Sequence, residues 1–297
     1  MIRINKIMVP VDFSEASTRA VQYGLSLALD LKARLVLIHI VPFDPVVYEK
    51  AKSDLLEMIP ADTRERLDFE IIVKAGEVRR ELIGVVEDKE IDLIVMGTSG
   101  RSYFDRLLLG SVTDRLLRKV HVPILTVSHV DPDKEFHTTG PSRLRHLLYA
   151  TDLAESFEEG LEFSIRFARG LDASLTVAHV VRPADAAFYG MEAAAFFPDY
   201  ADEVRTRAEE RLSRAVALAS DGGTPISTAI AEGVPYETIN RFARDYKADL
   251  IVINIRNKGL LERAVLGTTA ERVIRTATVP VLSVPVPVAN ASRTEAA

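Results

Sequence analysis

The chain has 297 residues, 47% of them hydrophobic, enough apolar material for two cores of about 150 residues each. Its 43 acidic and 37 basic residues leave a formal charge of -6, which argues against a general nucleic-acid surface. There is no cysteine, which excludes disulfides, thiolate catalysis and cysteine-ligated metals.

The opening MIRINKIMVPVDFS has too short an apolar run, ended at once by Asp12, to read as a signal peptide. No stretch approaches ~18 apolar residues, so a cytoplasmic setting with no membrane partner is expected. KIMVPV (6–11) predicts a strand. SEASTRAVQYGLSLALDL (14–31) has helical periodicity, with Ser14 as N-cap and Glu15 where a negative charge suits the helix dipole. RLVLIHIV (34–41) is apolar and β-branched, which suits a strand covered on both faces. A less regular helix (45–59), a strand (69–76) and a helix (77–90) follow. DLIVMG, the helix SVTDRLLRKV and the strand PILTVSHV complete the series. This alternation predicts an α/β fold with a doubly wound, mainly parallel five-stranded sheet.

The series is then written again. Asp12 aligns with Asp152 and His39 with His179, both at an offset of 140. Later, Gly76 aligns with Gly233, Gly110 with Gly267 and Pro123 with Pro280, at an offset of 157. A unit this long buries its own core, so the pattern is duplication of a whole domain. The expected division is a first domain at 1–130, a polar linker at 131–143, a second domain at 144–287 and a disordered tail at 288–297. The extra residues of the second copy fall after AHVV. There Phe188, Tyr189, Met191, Phe196, Phe197 and Tyr200 crowd an insertion at 182–200, which predicts a short packed helix, a lid or a dimer clasp.

In such sheets ligands bind beyond the carboxyl ends of the strands. GTSGRSYFDRLLLGS leaves a strand at Gly97 and has the spacing Gly-x2-Gly-x9-Gly-Ser. Gly97, Gly100 and Gly110 read either as ordinary turns or as places where the backbone approaches a ligand closely. Ser111 reads as an N-cap, with Asp114 completing a capping box, and the free amides of that turn suit a phosphate chain. Arg101 is the cation near the start of this loop. Asp12 ends the first strand and reads as a ribose or metal–phosphate contact or as a helix cap. Ile40 and Val41 end the second strand, where their main chain could read an adenine edge or simply belong to the core. His39 and His179 are expected as hydrogen-bonded core residues, and no histidine pair has zinc-site spacing. The P-loop, the Gly-x-Ser-x-Gly elbow and the dinucleotide fingerprint are all absent, so no catalytic residue is identified.

KIMVPVDFSEAS, LVLIHIV, DLIVMGTSG and LLLGSVTDRLLRKVHVPILTV, in this order, resemble the landmarks of the universal stress protein family, and the repeat makes the chain resemble its tandem form. The resemblance implies an adenine nucleotide alpha hydrolase-like fold and, in the first domain, the ATP-binding subclass, with or without Mg²⁺. It implies that Asp12 lies near ribose and phosphates and that the main chain of Ile40 meets adenine. Gly97, Gly100, Arg101, Gly110, Ser111 and Val112 would hold the ribose–phosphate part. It also implies dimerisation through the last strand, here as an internal pseudo-dimer of the strands starting at Pro123 and Pro280, with a homodimer as a further option. The second copy departs from the pattern. Its weaker site would use Asp152, Val180, Asn254, Asn257, Gly267 and Thr268, with two asparagines where Gly97 and Gly100 stand and a capping box from Thr268 and Glu271. The implied function is an ATP-binding stress-response regulator with at most slow hydrolysis. The alternatives are an ATP-dependent enzyme on a related fold and a scaffold that binds nothing.

Overall fold

The computed structural model describes residues 4–98, 109–127, 144–154, 156–182, 200–220, 222–257 and 266–287. The expected linker, the tail and most of the aromatic insertion (183–199) lie outside the described residues, as do Gly100 and Arg101. The chain divides into two compact units. One is Met1–Leu144 with Ile274–Ser283, and the other is Arg145–Val273 with Val284–Ala297.

The first unit contains β1 (Lys6–Pro10), α1 (Glu15–Leu31), β2 (Arg34–Val41), α2 (Pro45–Glu57), α3 (Ala61–Arg64), β3 (Phe69–Ala75), α4 (Val78–Asp88), β4 (Leu93–Gly97), α5 (Ser111–Leu117) and β5 (Ile124–Val127). Its strands run parallel in the order β3-β2-β1-β4-β5. Ile7, Met8 and Val9 are completely buried, as are Leu93, Ile94 and Val95. Helices on both faces of a parallel sheet select such unbroken apolar runs. Because the order reverses between β1 and β4, a crevice opens where their carboxyl ends part.

One antiparallel ladder is added to the mainly parallel arrangement expected from the sequence. Val281, Leu282 and Ser283, at the start of β10 (Val281–Pro287), pair antiparallel with Thr126, Leu125 and Ile124. Thr126 Oγ1 donates to the Val281 carbonyl at 3.1 Å in a buried position. The sheet is therefore mixed. The physical reason is the edge: β5 is only four residues long, fully buried, and needs partners for its outer backbone groups.

The second unit contains β6 (His146–Thr151), α6 (Phe157–Gly170), β7 (Ser174–Val181), α7 (Tyr200–Ala219), β8 (Ile226–Glu232), α8 (Pro235–Asp245), β9 (Leu250–Asn257) and α9 (Thr268–Thr276). Its parallel order β9-β6-β7-β8 repeats β4-β1-β2-β3. The pairing of His146 with Ser174 repeats that of Lys6 with Arg34, so the duplication read from the sequence extends to strand register. Among the described residues no helix is long and apolar enough to cross a membrane.

Candidate functional site

At the carboxyl edge of the first sheet lies a cavity of about 220 Å³. The ends of β1, β2 and β4 and the starts of α1, α4 and α5 all contribute to its walls. Six of the predicted positions meet there: Asp12, Ile40, Gly97, Gly110, Ser111 and Val112. Ile38, Val78, Leu82 and Met96 supply apolar surface between them.

Ile40 has an open backbone edge, and the register explains why. β1 ends at Pro10, opposite Ile38, while β2 runs on to Val41 and stays paired with β3 through Ala75. The Ile38 carbonyl accepts from Val11 N at 2.8 Å, so it points toward β1. Backbone polar groups two residues apart in a strand point the same way. The N–H and C=O of Ile40 therefore face the space that β1 has vacated, at the cavity wall.

Asp12 is held by a small polar network. Its Oδ1 accepts from Ser14 N at 3.0 Å and from Ser14 Oγ at 2.5 Å. Its own N–H donates to Ser17 Oγ at 3.4 Å. Ser14 caps α1 by accepting from Ser17 N at 3.2 Å, as expected from the sequence. Phe13 sits between these residues at φ 60, a left-handed conformation unusual for a bulky side chain, and packs its ring 4.8 Å from His39. His39 is half-buried rather than core. Its Nδ1 donates to the Val11 carbonyl at 2.6 Å. The strain at Phe13 thus accompanies a turn whose polar groups are tied to Asp12, Ser14 and Ser17.

Two local assignments change. Gly110, not Ser111, is the N-cap of α5, with φ -57 and ψ 142, and Ser111 is the first helical residue, exposed at the cavity. Asp114 closes no capping box. It turns forward to Arg118, whose Nε lies 2.9 and 3.0 Å from the two carboxylate oxygens. Gly110 N donates to the Thr98 carbonyl at 2.6 Å, which ties the helix start back to the end of β4. For Gly97, a Cβ would lie 2.7 Å from Ala16 Cβ and 3.1 Å from its carbonyl carbon. Close packing of β4 on α1 demands this glycine, whatever the cavity holds.

The second copy is built differently at the corresponding points. Asp152 is exposed and accepts from Ala154 N at 3.0 Å. Val180 is buried near the end of β7. Asn254 lies inside β9, and Nδ2 donates to Tyr149 Oη at 2.9 Å and to the Ser156 carbonyl at 3.3 Å. β9 continues through Asn257, so this asparagine stands in a strand, where β4 has already ended at Gly97. Gly267 is exposed, and a Cβ there would meet nothing within 4 Å. Thr268 is the first residue of α9, one past the cap position that the expected Thr268–Glu271 capping box requires, and Glu271 N bonds the Gly267 carbonyl at 2.9 Å as an ordinary first-turn helix bond.

Ser17, Val78, Leu82, Met96 and Thr113 also line the cavity wall, and no sequence motif singles them out. Val78 and Leu82 are four apart on α4, a spacing that also describes any core-facing helix stripe. Thr113 Oγ1 donates to the Gly97 carbonyl at 2.9 Å, a contact that sequence spacing could not reveal.

The model of the universal stress protein family matches residues 3–128 and again 143–285. Universal stress protein MJ0531 of Methanocaldococcus jannaschii is 33% identical over 145 residues, covering 44% of this chain and 84% of that one. Universal stress protein Slr1230 of Synechocystis is 30% identical over 125 residues, covering 41% of this chain and 42% of that one. The crystal structure of a universal stress protein from Archaeoglobus fulgidus superposes with a TM-score of 0.67 at 24% identity, over 95% of this chain and 99% of the other, a likeness of fold. Two family matches at the two copies, together covering most of the sequence, leave one conclusion: this chain belongs to the universal stress protein family, with two tandem domains of that type.

Proposed function

We propose that the first domain binds an adenine nucleotide, ATP foremost, and that the protein acts in a stress response through nucleotide-dependent conformation or partner contacts. The observation that carries this reading is the cavity itself. Residues far apart in sequence, chosen because their types suit ribose, adenine and phosphate, line one concave space with apolar walls. At about 220 Å³ it is smaller than a typical drug-sized pocket of about 300–1,000 Å³. A nucleoside suits that size, with its phosphates extending past Ser111 and Val112. Ile40 would meet the base through its main chain, and Asp12 the ribose hydroxyls.

Among the described residues that line the cavity, Asp12 is the one carboxylate. That suits Mg²⁺, which usually keeps several waters and takes few protein ligands beside substrate phosphates. When bound, the ion would neutralise phosphate charge near Asp12. The short Ser14–Asp12 contact belongs to a helix cap, since Ser14 Oγ also accepts from Ser17 N. It therefore supports binding rather than nucleophilic catalysis, and any hydrolysis is expected to be slow. The antiparallel pairing of β10 with β5 supports the last-strand pairing that the resemblance implies, here as an internal pseudo-dimer. Calorimetric titration of the full chain with ATP and Mg²⁺ tests the reading, with one site per chain expected. Failure to bind ATP, ADP or AMP at millimolar concentration would refute it, and turnover faster than about 1 s⁻¹ would favour an enzyme.

A further inference from the structure

Asn254 is part of a local rebuilding of the second domain. Four positions of the first domain, Val9, Ala16, Ala20 and Gly97, correspond to Tyr149, Ser156, Gly160 and Asn254. In the first domain these are small or aliphatic, and Gly97 packs directly on Ala16. In the second, Tyr149 is fully buried and its hydroxyl donates to the Phe157 carbonyl at 2.8 Å. Burial pushes this phenol well above its ordinary range, so it remains a donor. Asn254 Nδ2 donates to that hydroxyl and to the Ser156 carbonyl. Asn254 Oδ1 is buried without a hydrogen-bond partner among the described residues, and it packs against Gly160, where a Cβ would overlap Asn254 Oδ1 and Tyr149 Oη.

The same group coincides with a change in the neighbouring helix. α1 begins at Glu15 after the cap Ser14, which accepts from Ser17 N. α6 begins at Phe157, the counterpart of Ser17, so its helix starts two residues later in the repeat. Its N-cap Ser156 has φ -100 and ψ 18 and makes no side-chain capping bond. Ala154 and Phe157 replace Ser14 and Ser17, whose hydroxyls in the first domain bond Asp12. Phe157 is buried, with the Arg211 guanidinium 5.1 Å over its ring.

We propose that Tyr149, Gly160 and Asn254 form an interlocked wedge that fixes the start of α6 in this retracted form and so keeps the second crevice from becoming a nucleotide site like the first. The inference takes the first domain's binding as its reference, but its central claim can be read without any ligand. Alanine ordinarily outranks glycine inside a helix. Gly160→Ala in the full chain is nevertheless expected to lower the calorimetric transition of the second domain by about 4 °C or more. Adding Tyr149→Val and Asn254→Gly, the first domain's residues, is expected to restore it. If Gly160→Ala alone gives no folded protein, recovery of folded protein in the triple variant is the same result. A neutral or stabilising Gly160→Ala, or a triple variant no better than the single, overturns the wedge. Adding Phe157→Ser to the triple variant is expected to raise ATP stoichiometry from one to two per chain, the second site weaker. A folded quadruple variant with unchanged stoichiometry overturns the claim that the wedge closes the crevice. Were the wild-type chain to bind no ATP at all, the proposed function would fall, while the glycine–asparagine rescue would still decide the wedge.

Discussion

The two domains share strand order, register and helix placement, yet they use the end of the first strand and the start of the first helix in opposite ways. In the first, a glycine on β4 lets the strand touch α1, and serines at the helix start hold Asp12 beside a cavity. In the second, an asparagine on β9 bonds to a buried tyrosine and to the backbone entering α6. Packing a sheet against helices tolerates either solution, because both fill the space between strand and helix, although the second leaves Asn254 Oδ1 buried without a partner among the described residues. In the first, backbone and hydroxyl groups face an open cavity. A duplicated fold can thus keep its architecture while a handful of side chains changes the surroundings of the crevice.

The largest expected contrast lies between two equivalent glycines. Gly110 has a backbone conformation that valine can adopt, and it lines the cavity. Gly110→Val should therefore fold and weaken ATP binding about 100-fold or more, roughly 2.8 kcal/mol. Gly267→Val, projecting into open space, should leave affinity and stoichiometry unchanged. Equal losses by titration from both variants would erase the proposed difference between the copies.

A smaller effect is expected where β4 touches α1. Gly97→Ala places a methyl group 2.7 Å from Ala16 Cβ, an overpacking that should cost about 1–3 kcal/mol. Asn254→Ala removes two hydrogen bonds without adding bulk, and about 1 kcal/mol is expected. Urea denaturation followed domain by domain distinguishes them. A Gly97→Ala variant as stable as wild type would mean that the glycine serves the ligand alone.

The smallest effect concerns pH and only the second domain. His146 bonds Ser174 Oγ at 2.6 Å through Nδ1 and Thr176 Oγ1 at 2.9 Å through Nε2. Burial lowers its pKa below the ordinary 6.5, partly opposed by the Asp249 carboxylate. The folded state thus binds the proton less readily than the unfolded chain. Its contribution to stability is present above pH 6.5 and is lost as pH falls below that value toward the folded pKa. The first domain has Lys6 at this position. The second domain is expected to lose stability as pH falls below about 6.5, and His146→Gln to flatten that loss. An unchanged pH profile in the variant would remove His146 as the cause.

Much of the site was legible because its residues mark the ends of strands. Asp12, Ile40 and Gly97 follow or close apolar runs, and in a parallel sheet those ends face one edge. Ser14 was legible as a cap for the same local reason. The cap falls on Gly110 rather than Ser111 because Gly-Ser offers two adjacent capping candidates, and only the backbone angles choose between them. Asp114 was misread because a capping box and an i,i+4 pair with Arg118 share the same sequence neighbourhood.

By itself, the sequence determined the duplication, the alternation of strands and helices, and the loop chemistry that singles out the first copy. These follow from local periodicity and from spacing, which need no knowledge of distant partners. Tertiary structure decided the rest. It set the antiparallel register of β10 on β5, a pairing that the family resemblance implies but that periodicity does not name. It assigned Gly97 to packing against Ala16, and it gathered Tyr149, Gly160 and Asn254 from three separate segments. Steric fit and buried hydrogen bonding act between residues as far as 155 positions apart, and only the folded chain brings them within reach of each other.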